Sequence, residues 1–458
     1  MTYDLIVIGG GPAGYVGAIR AAQLGKKVAC VEKERAGGTC LNWGCIPTKS
    51  LLRNAEVYHL LTHKAGEFGI KADNISFDWE KIIGRSRKVA DRLAAGIEML
   101  FKKNKIDYIR GTASIKKPGE VSVTGADGAE QSLGAAKILV ATGVVSRPMP
   151  GLPFDGTNVI SSREAMVIKT RPEKIVIVGA GAIGVEFACL FNTFGSQVTL
   201  VEMMPNILPV EDTEVSQTLE KAFKKQGVTL MTGTKVASAE TMSAGVKLTF
   251  EGGAKPLEAD VCLVAIGVQP LLPAGLELKL TERGYIATDP NYRTNLAGIY
   301  AAGDIIGPPW LAHVASFEAI QAVEGMFKAG HVPKRTTTFP GCTYCQPQVA
   351  SVGLTERAAK EKGIPYKVGK FPFLASGKAL AVGENDGFVK LLIGEPHGEI
   401  LGAHIIGSEA TELIAELGLA ISLEATYEEL EATIHAHPTL SEAVHEAVGQ
   451  ALGHAIHI

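Results

Sequence analysis

The sequence predicts an α/β protein in which one strand–loop–helix–strand unit is used twice and a C-terminal α+β domain follows. Three observations carry this prediction. Apolar strands run straight into Gly-x-Gly-x-x-Gly at two places, residues 9–14 and 179–184. Each copy continues with a helical pattern and a second apolar strand that ends in glutamate. Beyond residue 340 those signals stop, and strand-like runs lead into two helical patterns.

The first unit opens with the strand Tyr3–Ile8, followed by Gly9-x-Gly11-x-x-Gly14, a helical pattern from Tyr15 to Leu24, and the strand Lys27–Val31 ending at Glu32. The glycines permit a tight turn, close backbone approach to a pyrophosphate, and close helix–strand packing. The helix N-terminus offers free N–H groups and partial positive charge to phosphates, and the acid accepts hydrogen bonds from a ribose.

Directly downstream lies Gly37-Gly38-Thr39-Cys40-Leu41-Asn42-Trp43-Gly44-Cys45-Ile46-Pro47-Thr48-Lys49. Two thiols beside a nucleotide site suggest a dithiol/disulfide that exchanges electrons with a bound cofactor. Residues i and i+5 of a regular helix stand about 8–9 Å apart on nearly opposite faces. A disulfide tolerates less than roughly 7 Å. Cys40 and Cys45 can therefore bridge only if the helix start is distorted or Cys40 precedes it, and Gly44 and Pro47 favour such a backbone. A strained bridge is easier to reduce, which suits catalysis. Lys49 lies one turn beyond Cys45, on the same face of a regular helix.

Ala136–Val140 reads as a strand ending in Ala141-Thr142-Gly143, a crossover out of the first nucleotide unit. The second unit repeats the first: strand Lys174–Val178, Gly179-x-Gly181-x-x-Gly184, helical pattern from Val185 to Phe194, strand Gln197–Val201, then Glu202. In both copies the acid lies 18 positions after the third glycine. A lone Gly-x-Gly-x-x-Gly could mark an ordinary turn. Its recurrence with strand, helix and acid in place argues for two Rossmann-like dinucleotide-binding domains. Two such sites mean two cofactors, a tightly bound flavin and a diffusible nicotinamide being the natural pair. FAD is expected beside the cysteines. NAD rather than NADP is expected at the second site, because Glu202 would repel a 2′-phosphate and Met203-Met204-Pro205 offers no arginine to receive one.

Val261–Ile266 reads as another strand, ending at Gly267, and Ile299-Tyr300-Ala301-Ala302-Gly303-Asp304 as one ending in Gly-Asp. Asp304 could bind a ribityl hydroxyl or phosphate-bound water, or be a plain turn aspartate. In the last part, Phe388–Ile393 and Ile400–Ile406 flank a Glu395-Pro396-His397-Gly398 turn, and helical patterns run over Ser408–Leu423 and Ser441–Leu452. The expected domains are 1–146 for FAD, 147–270 for NAD, 271–337 completing the FAD site, and 338–458 for dimerisation.

Bulk properties exclude several classes. The 458 residues are too many for one core. A net charge of −3 gives no reason to invoke nucleic acid or an anionic membrane. No apolar run is long enough to span a bilayer, and no leader precedes the first strand, so a cytoplasmic or mature organellar protein is expected. Seven cysteines in this length do not make a disulfide scaffold, which implies a reducing compartment.

The chain resembles the pyridine nucleotide–disulfide oxidoreductases essentially end to end. The anchors are Gly9–Gly14, the Gly38–Lys49 segment, Gly179–Gly184 with Glu186, Ala301–Asp304, and His435-Ala436-His437-Pro438-Thr439-Leu440-Ser441-Glu442. The last motif, with Glu202, selects the lipoamide-oxidising branch over NADP-using glutathione-type reductases. The resemblance implies a homodimer in which Cys40 is the interchange thiol and Cys45 the thiol beside the flavin. Lys49 and Glu186 then resemble an ion pair near the flavin ring, His437 the catalytic base that reaches the other subunit's disulfide, and Glu442 the group that orients it. Thr39, Thr142 and Gly143 join the FAD site on the same basis, and Gly267 the NAD side. No metal is expected. The implied partners are the lipoyl domain and peripheral subunit-binding domain of a 2-oxoacid dehydrogenase acyltransferase.

Other readings compete. Lys49 fits a solvated helix lysine, and Glu186 a first-turn charge complementing the helix dipole. Thr439-x-x-Glu442 fits a capping box with Thr439 as N-cap, and His435 rivals His437. Cys30, Cys189 and Cys262 read as core thiols. Cys342 and Cys345 form a C-x-x-C foreign to the family; on a strand this spacing points the thiols to opposite faces, which favours an inert role. Val268 stands where the family often has arginine. For the whole chain, the rivals are a reductase of another small disulfide and a non-catalytic flavoprotein that serves as a docking subunit.

Overall fold

A computed structural model describes residues 2–458 as two compact units, each assembled from three stretches of chain. Among the described residues, the first unit comprises 2–50, 81–147 and 267–337, and the second 51–80, 148–266 and 338–458.

In the first unit, Thr2–Ile8 lies between Val28–Glu32 and Glu130–Val140, parallel to both, with Leu5 opposite Val28 and Lys137. Asp107–Arg110 extends the sheet on one side and Ile299–Ala301 pairs with Glu130–Val140 on the other. The Glu130–Val140 strand is longer than expected, because its first half also pairs antiparallel with Glu120–Thr124. The first helix, Pro12–Gln23, starts three residues earlier than the apolar pattern suggests. Gly11 is its N-cap and Pro12 occupies the first turn, where a missing N–H costs nothing. Helix Ala312–Phe327 packs on it through small residues: a Cβ on Gly17 would lie 2.9 Å from Leu139 and 3.5 Å from Ala319.

In the second unit, a five-stranded parallel sheet runs in the order Thr229–Met231, Gln197–Val201, Lys174–Val178, Val261–Val264, Val159–Ile160. Its helix, Ala182–Thr193, again begins inside the glycine loop, with Gly181 as N-cap. The C-terminal part is a five-stranded antiparallel sheet in the order Gly341–Thr343, Gln348–Gly353, Ile400–Gly407, Phe388–Gly394, Tyr366–Pro372. Every residue of Phe388–Gly394 is buried, and helices Ala410–Ser422 and Glu442–Leu452 supply Ile414, Leu417, Val444 and Val448 to its core.

A buried position of this C-terminal sheet is charged. Lys390 is 1% exposed, and its Nζ bonds Asp212 at 2.8 Å, Glu356 at 2.6 Å and Glu214 at 3.2 Å. Asp212 is also the N-cap of helix Thr213–Lys225, so this cluster ties that helix to the C-terminal sheet.

Candidate active site

The two glycine loops are built alike. Gly9 has φ +104° and Gly179 φ +101°, a backbone that side chains rarely adopt. A Cβ on Gly14 would fall 1.8 Å from the Gly9 oxygen, and one on Gly184 1.9 Å from the Gly179 oxygen. The acids are held in the same way. Glu32 accepts from Gly10 N–H at 2.7 Å and Glu34 N–H at 2.8 Å. Glu202 accepts from Ala180 N–H at 2.7 Å and Met204 N–H at 2.9 Å. Four backbone donors thus fix two carboxylates at the mouths of their loops, with lone pairs to spare for ribose hydroxyls.

The cysteine segment sits against the first loop. Gly37 N–H donates to the Gly10 carbonyl at 2.8 Å, and a Cβ on Gly38 would lie 2.5 Å from Gly11 Cα. Gly37, in the left-handed region, starts a short helix, Gly38–Trp43, which carries Cys40 and Thr39. Gly44 interrupts it at φ −151°, ψ −114°, and a second helix, Cys45–His59, begins at the other cysteine. This break is the distortion that the i, i+5 spacing demands. The two thiols are hydrogen-bonded to one another. That bond, and burial after it, hold the Cys40 thiol well above its ordinary range, while the Lys49 ammonium pulls the other way. Asp304 lies close enough to raise Cys40 further, and Tyr15 is raised by burial and then by both cysteines. The first unit therefore gathers Cys40, Cys45, Lys49, Asp304 and Tyr15. Tyr15 carried no motif that would have marked it in advance.

The residues on this side fit a flavin dinucleotide. Thr142 Oγ1 is buried with no hydrogen-bond partner. It follows Ala141, whose carbonyl would be 2.3 Å from a Cβ on Gly9. Gly143 beyond it has φ +68°. Burial pushes Asp304 up to about 6, against its own backbone N–H. Glu318 accepts from Gly303 N–H at 2.9 Å, beside it. An orphaned hydroxyl and a desolvated acid around a glycine loop are what a ligand rich in hydroxyls and phosphates would satisfy.

In the second unit, Glu186 is buried in the second turn of its helix, and its Oε1 accepts from Tyr344 N–H at 3.0 Å. The first-turn dipole reading is therefore corrected, because the helix begins at Ala182. Gly267, with φ +113°, opens the stretch that belongs to the first unit.

His437 and His435 separate clearly. His437 Nδ1 meets Glu442 Oε1 at 2.8 Å, and the His437 side chain is 80% exposed. Burial works against ionising Glu442, but Thr439 N–H, at 2.8 Å from Oε2, and His437 together hold it below the usual carboxylate range. His435 Nε2 instead meets Glu416 Oε1 at 2.7 Å, and its side chain is 7% exposed. Of the two, His437 exposes its second ring nitrogen to an external group, whereas His435 Nδ1 is buried without a hydrogen-bond partner. The capping-box reading is corrected as well. The helix N-cap is Ser441, and the Thr439 hydroxyl donates to the Ala436 carbonyl.

The remaining cysteines are less available. Burial pushes Cys189 up to about 11, Cys262 up to about 12, and Cys30 higher still. Cys342 lies on the strand Gly341–Thr343, but Cys345 falls beyond it in the following turn, fully buried. Its thiol donates to the Pro347 carbonyl at 3.1 Å. Strand alternation therefore does not govern this pair. Among the described residues, no three His, Cys, Asp or Glu side chains are placed to hold a metal ion, and no helix is long and apolar enough to cross a membrane.

Comparisons with known proteins agree along the whole chain. The family profile described as "Pyridine nucleotide-disulphide oxidoreductase" matches residues 3–319, and its dimerisation domain matches residues 339–448. The chain is 46% identical to a dihydrolipoyl dehydrogenase of Zymomonas mobilis over 99% of both proteins. It is 45% identical to one of Bacillus subtilis, again over 99% of both. The crystal structure of LpdA from Mycobacterium tuberculosis superposes with a TM-score of 0.90 at 28% identity, covering 97% of this chain and 98% of that one.

Proposed function

The chain belongs to the pyridine nucleotide-disulphide oxidoreductase family, and we propose that, with FAD and NAD as its cofactors, it oxidises protein-bound dihydrolipoamide to lipoamide and reduces NAD⁺ to NADH. The observation that carries this reading is the helix break at Gly44, which leaves Cys40 and Cys45 in hydrogen-bond contact beside the first glycine loop.

His437 takes a proton from a dihydrolipoyl thiol, because the thiolate is the nucleophile. Glu442, on Nδ1, keeps the other ring nitrogen as the acceptor and stabilises the imidazolium that forms. The thiolate attacks the Cys40 sulfur of the Cys40–Cys45 bridge, giving a mixed disulfide and releasing Cys45. The second substrate thiol closes the lipoyl disulfide and releases Cys40. FAD, when bound, supplies the two-electron route from Cys45 to NAD⁺. Lys49 and Glu186 belong to the catalytic set in this reading. Gly9, Gly11, Gly14, Glu32, Thr39, Thr142, Gly143 and Asp304 hold FAD, and Gly179, Gly181, Gly184, Glu202 and Gly267 hold NAD.

The dimerisation domain over residues 339–448 supports a homodimer, in which His437 and Glu442 serve the disulfide of the other subunit. The four blocks 1–146, 147–270, 271–337 and 338–458 then divide the work as FAD binding, NAD binding, completion of the FAD site and dimerisation. The physiological substrate is a lipoyl domain, and the docking partner the peripheral subunit-binding domain of a 2-oxoacid dehydrogenase acyltransferase, in the cytoplasm.

The test is an anaerobic visible titration with dihydrolipoamide followed by NAD⁺. A long-wavelength band from a thiolate beside the flavin, then NADH, is expected. Flavin colour without any response to dihydrolipoamide would move the substrate to another disulfide.

A further inference from the structure

The break at Gly44 creates a problem that the chain solves from elsewhere. A helix as short as Gly38–Trp43 leaves the carbonyls of its last turn without successor amides. The Asn42 carbonyl, between the two cysteines, is one of these. Arg87, on helix Trp79–Lys103, donates to it from Nη1 at 2.7 Å. The same guanidinium lies over the Trp43 ring, 5.0 Å from its centroid, and Trp43 Nε1 donates to Glu34 at 3.0 Å. The Asn42 carboxamide donates to the Ala36 and Gly38 carbonyls at 3.0 and 2.9 Å. Two residues earlier on the long helix, Arg85 Nη1 donates to the Ser50 hydroxyl at 2.8 Å and the Ser50 carbonyl at 3.1 Å, beyond Cys45. Two arginines of one helix thus hold the cysteine segment on both sides of its second thiol. Neither arginine carries the redox chemistry.

We propose that Arg87, seconded by Arg85, is a positioning residue for the Cys40–Cys45 couple: its bond to the Asn42 carbonyl holds the helix break that keeps the two sulfurs together. The inference rests on the redox role proposed for the two cysteines. Its consequence is an effective-concentration effect. Two thiols held close favour the disulfide over the dithiol, and a loosened segment loses that advantage. A missing donor also lets the Asn42 carbonyl seek an amide further along the chain. That would regularise the helix and draw the sulfurs apart toward the i, i+5 separation.

The test uses the holoenzyme and its Arg87→Met, Arg87→Gln and Arg85→Met variants. Each is equilibrated anaerobically with mixtures of reduced and oxidised dithiothreitol, acid-quenched and alkylated. The Cys40/Cys45 peptide is then weighed. The exchange is balanced: as dithiothreitol closes to its cyclic disulfide, two electrons and two protons pass to Cys40 and Cys45. In Arg87→Met the midpoint is expected to move about tenfold toward the dithiol, equivalent to about 30 mV for this two-electron couple. Arg87→Gln keeps a donor and is expected to stay nearer the parent, and Arg85→Met to move in the same direction by less. An Arg87→Met midpoint within about twofold of the parent overturns the proposal. Equal shifts in Arg87→Met and Arg87→Gln overturn it too, because the donor then does not matter. If Arg87→Met yields no folded protein, an unmoved Arg85→Met midpoint overturns it. A parent protein that never forms the Cys40–Cys45 bridge would overturn the proposed function itself, and is told apart by that first measurement.

Discussion

At the scale of single residues, His437 and Asp304 show how environment assigns a role. His437 is exposed and bonded to Glu442 through one nitrogen. His437→Gln is therefore expected to slow oxidation of dihydrolipoamide by about 10²- to 10⁴-fold, the range for loss of a general base. NADH-driven dye reduction, which needs no substrate thiolate, should change little; equal loss of both would remove the base role. Asp304 is an acid that burial makes costly to ionise. Its folded pKa is raised from 3.8 to about 6 by burial, so between these values the folded state binds the proton better. Stability then falls as pH rises through that window, by up to about 3 kcal/mol. Asp304→Asn is expected to raise the melting temperature of the flavin-free protein at pH 8 while weakening flavin retention. The gain should shrink as pH falls from about 6 to about 4, and scanning calorimetry across that range checks it. The chemistry of these side chains was legible by type in the sequence. The position directly before Pro438 favours His437 over His435 on the family resemblance alone; the physical difference, burial of His435 against Glu416, is a property of the folded chain.

At the scale of elements, the glycine loops make the firmest prediction. A methyl group on Gly184 would sit 1.9 Å from the Gly179 oxygen, so Gly184→Ala must push the helix away from the strand. Its KM for NAD⁺ is expected to rise at least about tenfold while flavin content stays at the parent level, because the first loop is a separate structure. Loss of flavin in this variant would contradict the assignment of the two loops. The elements were also where sequence reading ran closest to the structure. Strands Lys174–Val178 and Gln197–Val201 fall at the expected bounds. The helices after both loops begin three residues early, because glycine at the N-cap lets the turn flow into the helix before any apolar residue announces it. The cysteine segment shows the limit. Its spacing demanded a distortion, but not that it would be a break at Gly44 between two helices.

At the scale of the whole molecule, residues far apart in sequence carry the consequences. Lys390 is buried among Asp212, Glu214 and Glu356, over separations of up to 178 positions. Burial alone would raise these acids, yet Lys390 holds Asp212 and Glu356 below the ordinary carboxylate range, and Lys370 followed by Lys390 does the same for Glu214. Their contribution to stability is thus present above their unfolded values and is lost as pH falls through the lower folded ones. Lys390→Met leaves the carboxylates facing each other, and is expected to cost about 3–5 kcal/mol in urea unfolding at neutral pH. A cost below about 1 kcal/mol would mean that solvent already screens the cluster. Assembly offers a second test. If His437 serves the other subunit, a heterodimer of one Cys45→Ser chain and one His437→Gln chain keeps one intact site, and purified heterodimers should recover about half the parent rate from two inactive chains. If each site used its own chain's histidine, both would be broken and nothing would be recovered.

The sequence by itself determined the two glycine loops, the acids that follow them, the paired cysteines and the C-terminal histidine motif. These are local patterns, whose spacing along the chain is itself the physical requirement. Only the tertiary structure decided that Glu186 rests on Tyr344 N–H, that His435 is occupied by Glu416 while His437 is open, that Cys345 is sealed in a turn, and that Arg87 reaches the peptide between the cysteines. Each of these depends on burial or on a partner many residues distant. Periodicity along a chain records which face of an element turns inward, but not which distant group it meets there.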